Sequence, residues 1–219
     1  MVKEAIQKLY SEIQKCTLCN STISEKVIRK LDSVNLKSDI FVIAEAMAPS
    51  QVRVSGINYF DINGKVGNTG KSFEKFLNKL GYSVYPGNNC IYHTEIVHCF
   101  PGYEIKSNKK SIRRPNKIEV NNCINQKFIQ KEIDLIQPKL ILLMGKVSYE
   151  TFYNYFLKIN PNEILSNKIN SISESKQFET YNGIPVIPIQ HASGANPRFN
   201  QMLNNEKLIE LIKNIIRTS

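Results

Sequence analysis

A chain of 219 residues has room for one hydrophobic core, and 42% hydrophobic with 22% charged residues excludes wholesale disorder. Lys and Arg total 29 against 19 Asp and Glu, and the resulting charge of +10 favours a polyanionic partner such as nucleic acid. No run approaches the ~18 apolar residues of a membrane span, and the charged, amphipathic start has no apolar core of a secretory signal.

Ile6, Leu9, Tyr10 and Ile13 fall at helical spacing and predict an opening amphipathic helix that runs up to Cys16-Thr17-Leu18-Cys19. Residues 40–44 are a short apolar run that reads as a buried strand. Beyond a glycine-rich stretch, Phe73, Phe76, Leu77 and Leu80 predict a helix over 72–80 stopped by Gly81. A second strand is predicted at about 90–97, followed by a basic loop at about 100–122. The next helix, roughly 117–136, carries Ile129, Ile133 and Ile136 on one face. Residues 140–144 read as a third strand, Gly145 opens a helix to about residue 156, and a polar connection covers roughly 160–182. A fourth strand at 184–189 leads into His191, and a last helix holds Leu208, Leu211, Ile212 and Ile215.

Continuous apolar strands alternating with helices predict an α/β fold in one domain over 1–219. The expected form is a three-layer α/β/α sandwich on a central, mostly parallel four-stranded sheet. Function in such folds lies beyond the carboxyl ends of the strands. Those ends are Glu45, Glu95, Gly145 and His191.

The expected setting is the reducing cytoplasm of a bacterium or archaeon. There the five cysteines serve as metal ligands, catalytic groups or buried apolar residues sooner than as disulfides. Cys16 and Cys19 form a C-x-x-C turn directly after a helix, Cys99 follows the second strand, and Cys123 lies on or before the third helix. Such a set suits zinc or an iron–sulfur cluster, and spacing alone does not choose between them. Cys90 sits within a strand and reads as a bystander.

Taken together, these segments resemble the family 4 uracil-DNA glycosylases, the iron–sulfur members of the uracil-DNA glycosylase superfamily. The resemblance is carried by the C-x-x-C turn, by Ala44-Glu45-Ala46-Met47-Ala48-Pro49 and by Val66-Gly67-Asn68-Thr69-Gly70. It continues through Val97-His98-Cys99-Phe100-Pro101, Cys123, Ile136-Gln137-Pro138-Lys139-Leu140, Met144-Gly145-Lys146 and His191-Ala192-Ser193. It implies a structural [4Fe–4S] cluster on Cys16, Cys19, Cys99 and Cys123, and DNA as the partner. The chain is expected to work as a monomer, away from membranes.

Cleaving an N-glycosidic bond develops positive charge on the sugar and negative charge on the departing base. The base must first be flipped from the stack into a pocket. His191 is the candidate donor to the departing base, and Glu45 the candidate carboxylate that orients or activates water. Candidate DNA contacts are Gly67 and Gly70 with Gly64 in the glycine-rich loop, Lys106, Lys109, Lys110, Arg113, Arg114 and Lys117 in the basic loop, and Ser193 and Arg198. Arg198 with Phe199 is a candidate pair to fill the gap left by a flipped nucleotide. The stretch between Cys99 and Cys123 is longer than the resemblance leads one to expect.

Two departures bear on the base-binding residues. The family's strand ends Thr-Asn, and that asparagine reads uracil, but here the pair is Thr94-Glu95. An ionised carboxylate accepts only, so Glu95 suits the 4-amino group of cytosine better than the O4 of uracil. The family's stacking phenylalanine falls on Lys65, so the aromatic lid is missing unless Tyr59 or Phe60 supplies it. Both changes point to a glycosylase for a cytosine-derived, 5-substituted base, with anti-phage defence as the expected setting. Uracil repair, a non-catalytic iron–sulfur DNA-binding protein and a zinc-stabilised nucleotide-binding module remain the alternatives.

Overall fold

Four strands build the parallel centre of the fold. In the computed structural model, which describes residues 1–19, 31, 34–46, 58–61, 63–87, 89–106 and 108–218, they are β1 (Ile40–Ala46), β2 (Tyr92–Val97), β5 (Leu140–Met144) and β7 (Ile184–Ile189). β1 lies between β2 and β5, and β5 between β1 and β7, all in parallel register. Every residue of β5 is buried, as a strand covered on both faces must be. Met47, Ala48 and Pro49, which follow β1, lie outside the described residues.

The sheet has five strands, one more than the sequence reading expected. β6 (Glu179–Tyr181) joins antiparallel at the edge beside β7. Asn182 and Gly183, both at positive φ, make the two-residue turn between them, the dipeptide that a tight hairpin favours. The same supposed polar connection also contains a helix, α6 (Leu165–Ser175), whose Leu165, Ile169 and Ile172 are its buried apolar positions. The basic loop is likewise structured. β3 (Tyr103–Lys106) and β4 (Lys109–Ile112) pair as a separate antiparallel hairpin.

Helices complete the layers. α1 (Val2–Lys15) buries Ile6, Leu9, Tyr10 and Ile13, and packs on α4 (Phe128–Ile136), where Lys131 Nζ meets Glu12 Oε2 at 2.9 Å. The expected single helix at 117–136 is two, α3 (Lys117–Asn125) and α4, because Lys127 takes a left-handed conformation that interrupts the hydrogen-bond ladder. α3 begins on a capping box in which Asn116 and Glu119 satisfy each other's backbone N–H groups. α2 (Asn68–Leu80) ends at Gly81 with φ +84. α5 (Lys146–Phe152) continues into a π-helical turn at Tyr153–Leu157. The expected last helix is α8 (Glu206–Thr218), and a short α7 (Pro197–Leu203) precedes it, with Asn205 Oδ1 accepting from Leu208 N at 3.0 Å between the two.

β2 carries polar side chains on both faces, and each has a partner. On one face the buried Glu132 carboxylate of α4 accepts from Tyr92 Oη at 2.9 Å and Thr94 Oγ1 at 2.6 Å. Hydrogen bonds to a charged acceptor contribute roughly 1.5–3 kcal/mol each, which holds α4 to the sheet despite the buried charge. His93 and Glu95 alternate onto the opposite face. There they meet a cavity.

Candidate active site

The carboxyl ends of β1, β5 and β7, with the His93–Glu95 side of β2, surround a cleft of about 340 Å³. Glu45, Glu95 and His191, three residues far apart in sequence, all line it. Ala44 pairs with Glu95 across the ladder, and the small side chains of Ala44 and Ala46 leave the cleft its room. A volume of this size accepts a small planar ligand.

Glu95 is 2% exposed and does not stand alone. Its Oε1 lies 3.1 Å from His93 Nε2, and His93 Nδ1 lies 2.6 Å from the Tyr59 hydroxyl. The Tyr59 ring also meets the imidazole edge-on, with centroids 4.9 Å apart. Burial, and then the nearby Glu95 charge, push the Tyr59 hydroxyl well above its ordinary range, so it stays protonated. A phenol that donates to Nδ1 sets the proton on Nε2, and that N–H donates to the Glu95 carboxylate. The chain of three thus presents Glu95 to the cleft as a fixed acceptor.

Tyr59 itself is held in a left-handed conformation, φ +71. Its carbonyl accepts from Gly67 N at 2.8 Å, and Phe60 bridges to Val66. A methyl group on Gly70 would stand 2.7 Å from the Tyr59 Cβ, so the glycine lets α2 press against this loop. Gly64 and Gly67 donate their N–H groups inside the loop, to Asp61 O and Tyr59 O, rather than outward to a phosphate. Lys65 is exposed and Phe60 is buried edge-on against Tyr85. Neither lines the cleft; the aromatic side chain there is Tyr59.

His191 emerges from β7 at the rim. Gly145 (φ +90) faces it, and a side chain there would place its Cβ 3.3 Å from the His191 Cβ. The His191 carbonyl accepts from Ser193 N at 2.8 Å and from Asn196 Nδ2 at 3.0 Å, which fixes the backbone behind the imidazole. Its pKa is lowered, first by desolvation of the ring and then by Arg114, so the neutral imidazole is favoured. Glu45 moves the other way. Desolvation raises it, and Arg114, whose Nε is 3.9 Å from Glu45 Oε1, partly offsets the rise.

Arg113 and Arg114 divide their work. The Arg113 guanidinium is committed inside the protein, to Glu119 Oε1 at 2.6 Å and Oε2 at 3.0 Å and to the Pro101 carbonyl. It therefore anchors the basic loop to α3, whereas Arg114 is 71% exposed at the cleft. Lys110 stands over the Tyr103 ring. The side chains of Lys106 and Lys109 lie outside what the structure describes. Arg198 borders a different, smaller cavity beside Gln190 and Asn205. Phe199 is fully buried against Phe76, centroids 6.4 Å apart, and cannot enter a base stack.

None of the cysteines lines the cleft. Asn122 Nδ2 donates to Leu18 O and to Cys19 Sγ, each at 3.2 Å, and so docks the C-x-x-C turn on α3. Burial pushes the Cys123 thiol up to about 12, with further rises from Cys99, Cys19 and Cys16. Cys16, Cys19 and Cys99 are therefore all within electrostatic reach of Cys123. Among the described residues, no three His, Cys, Asp or Glu side chains converge tightly enough to hold a metal ion as they stand. Cys90 is buried elsewhere, its carbonyl accepting from Asn35 and Ser38.

The model of the uracil DNA glycosylase superfamily matches residues 31–215. The chain belongs to that superfamily. It is accordingly a DNA glycosylase, a hydrolase of N-glycosyl bonds, and the cleft on its strand ends is the candidate site of that chemistry. Among solved structures, that of wild-type SMUG2 from Pedobacter heparinus aligns over 99% of this chain and 97% of its own, with 10% identity and a TM-score of 0.48. No curated protein matches the sequence. No helix of the described residues is long and apolar enough to cross a membrane. Sequence reasoning missed His93 as part of the candidate site, and it offered Tyr59 only as a possible aromatic lid, not as the partner of His93. The signal for His93 was its i, i+2 relation to Glu95, which puts both on one face of a strand.

Proposed function

We propose that this glycosylase releases a cytosine-derived base, 5-substituted in its natural substrate, from DNA. The observation that carries the reading is the Tyr59–His93–Glu95 chain, which holds a carboxylate as an acceptor at the wall of the cleft. Cytosine offers a 4-amino donor at the matching edge, whereas uracil offers a second acceptor, which a carboxylate repels. Lys65 does not line the cleft, and the small side chains of Ala44 and Ala46 leave room in it for a substituent at the 5-position. Excision of unmodified cytosine would damage the host's own genome. A modified base, such as phage DNA carries, is the fitting target, and defence against phage the fitting role.

In this reading His191 donates an N–H to O2 of the departing base as the C1′–N1 bond breaks and its electron pair moves onto the ring. Glu45 holds the attacking water, which forms the new C1′–O bond and gives its proton to the carboxylate. The raised Glu45 pKa makes it a stronger base than an ordinary carboxylate. The test is a panel of oligonucleotides carrying uracil, cytosine, 5-hydroxymethylcytosine or glucosylated 5-hydroxymethylcytosine, scored for abasic sites. Release of uracil alone would overturn the proposal.

Arg114 gives this chemistry a pH signature. It lowers both Glu45 and His191, so Arg114→Gln lets both pKa values rise. Glu45 must be ionised, so the acid limb of the single-turnover rate is expected to move to higher pH in the variant. Because Arg114 is exposed, the difference should shrink in high salt. An unmoved limb, or one moved to lower pH, counts against Glu45 as the base.

Cys16, Cys19, Cys99 and Cys123 would hold a [4Fe–4S] cluster. The fit rests on the donor set: four thiols, with Cys16, Cys19 and Cys99 all within electrostatic reach of Cys123. Bound there, it supplies structure, tying the end of α1 to β2 and α3. Freshly purified protein is expected to be brown, and Cys123→Ser to lose iron and melt at lower temperature. A colourless, zinc-loaded and fully active protein would remove the cluster from this account.

A further inference from the structure

The β3–β4 hairpin carries an apolar face that the core does not use. Tyr103 pairs with Ile112 and Ile105 with Lys110, so these four side chains share one side of the ribbon. Tyr103 is 49% exposed, Ile105 79% and Ile112 45%. Single exposed apolar residues are ordinary, but a contiguous group on one ribbon marks a contact surface. The Tyr103 ring is braced, edge-on to buried Phe100 at 5.0 Å and beneath Lys110 Nζ at 4.0 Å. It is therefore set in place before any ligand arrives.

We propose that this face is a nucleic-acid contact in which Tyr103 and Ile105 pack against bases next to the flipped nucleotide. Two observations choose DNA as the occupant. The face is continuous with the base cleft, because Ile112 lines that cleft and Arg114 follows two residues later. Its apolar residues are also interleaved with cations, Lys110 on the ribbon and exposed Arg114 beside it, in a chain of charge +10. Aromatic and aliphatic side chains set in a basic groove accept base faces of any sequence. The hairpin thereby takes the role that buried Phe199 cannot fill. The inference rests on the reading of the cleft as a site for DNA, and does not depend on which base is released.

The test uses the full chain and a duplex carrying 2-aminopurine beside the target base. The double variant Tyr103→Ser/Ile105→Ser is expected to bind roughly 5- to 100-fold more weakly, the range for losing one stacked base. It should also lose the 2-aminopurine fluorescence change that accompanies wild-type binding. Ile105→Leu should retain both, and Ile164→Ser, at an exposed isoleucine on another element, should change neither. Binding and fluorescence unchanged in the double variant overturn the proposal. So does a wild-type dimer that the double variant converts to monomer, since the face would then join two copies of the chain. Failure of the cytosine reading shows instead in the base panel, with DNA binding and its dependence on the hairpin intact.

Discussion

Glu95→Asn is expected to reverse the base preference, raising uracil release relative to cytosine-derived bases by roughly 10- to 100-fold, the scale of one mismatched bidentate contact at about 1–3 kcal/mol. The reason is donor count. A carboxylate in this position accepts from a 4-amino group and repels O4, whereas an asparagine amide can donate to O4. His93 sharpens the effect. Its Nε2 lies 3.1 Å from Glu95 Oε1, so the carboxylate cannot readily rotate to avoid an unfavourable edge. Single-turnover rates on the four-substrate panel, for wild type and variant, provide the measurement. Equal preference in the two proteins would mean that Glu95 does not read the base.

His191→Ala is expected to lower the single-turnover rate by about 10²–10³-fold while leaving DNA affinity nearly unchanged, as removal of one preorganised donor to a developing oxyanion does. The preorganisation is visible in the backbone. Ser193 N and Asn196 Nδ2 hold the His191 carbonyl, and Gly145 offers no side chain to push the imidazole aside. The lowered pKa keeps the ring neutral, so the donor is present without competing for the Glu45 proton. A wild-type rate in the variant would assign the leaving group's stabilisation to another residue, and an equal loss of binding would make His191 a DNA anchor.

The fold was largely legible because its centre is written in continuous apolar runs. Residues 40–44, 140–144 and 184–189 have no other stable use in a chain of this length than buried strands. What was misread had weak local signals. α6 offers only Leu165, Ile169 and Ile172 among serines, asparagines and lysines of modest helix propensity. β6 is three residues long, although Asn182-Gly183 announced its hairpin. The break between α3 and α4 falls at Lys127, where nothing in the residue type asks for a left-handed conformation.

The candidate site divides along the same line. Its residues at strand ends, Glu45 and His191, followed from chain order, because a parallel sheet brings all its carboxyl ends to one edge whatever the loops do, whereas Glu95, expected at a strand end, reaches the cleft from within β2. The C-x-x-C turn was legible in its spacing, but that Cys16, Cys19 and Cys99 come within electrostatic reach of Cys123 is a matter of tertiary structure. Residues delivered by loops did not follow, since the choice among Tyr59, Phe60 and Lys65 is made by a left-handed turn and by Gly70 pressing beneath it.

By itself, then, the sequence determined the α/β class, the sheet edge that carries the candidate cleft and the carboxylate that departs from the expected amide. Only the tertiary structure decided what each polar group does with its hydrogen bonds. It tied Glu95 to His93 and Tyr59, turned Arg113 inward to Glu119 while leaving Arg114 at the cleft, and buried Phe199 under Phe76. Periodicity reports which face of an element a side chain occupies, but a partner is set by distances of about 3 Å between segments far apart in the chain.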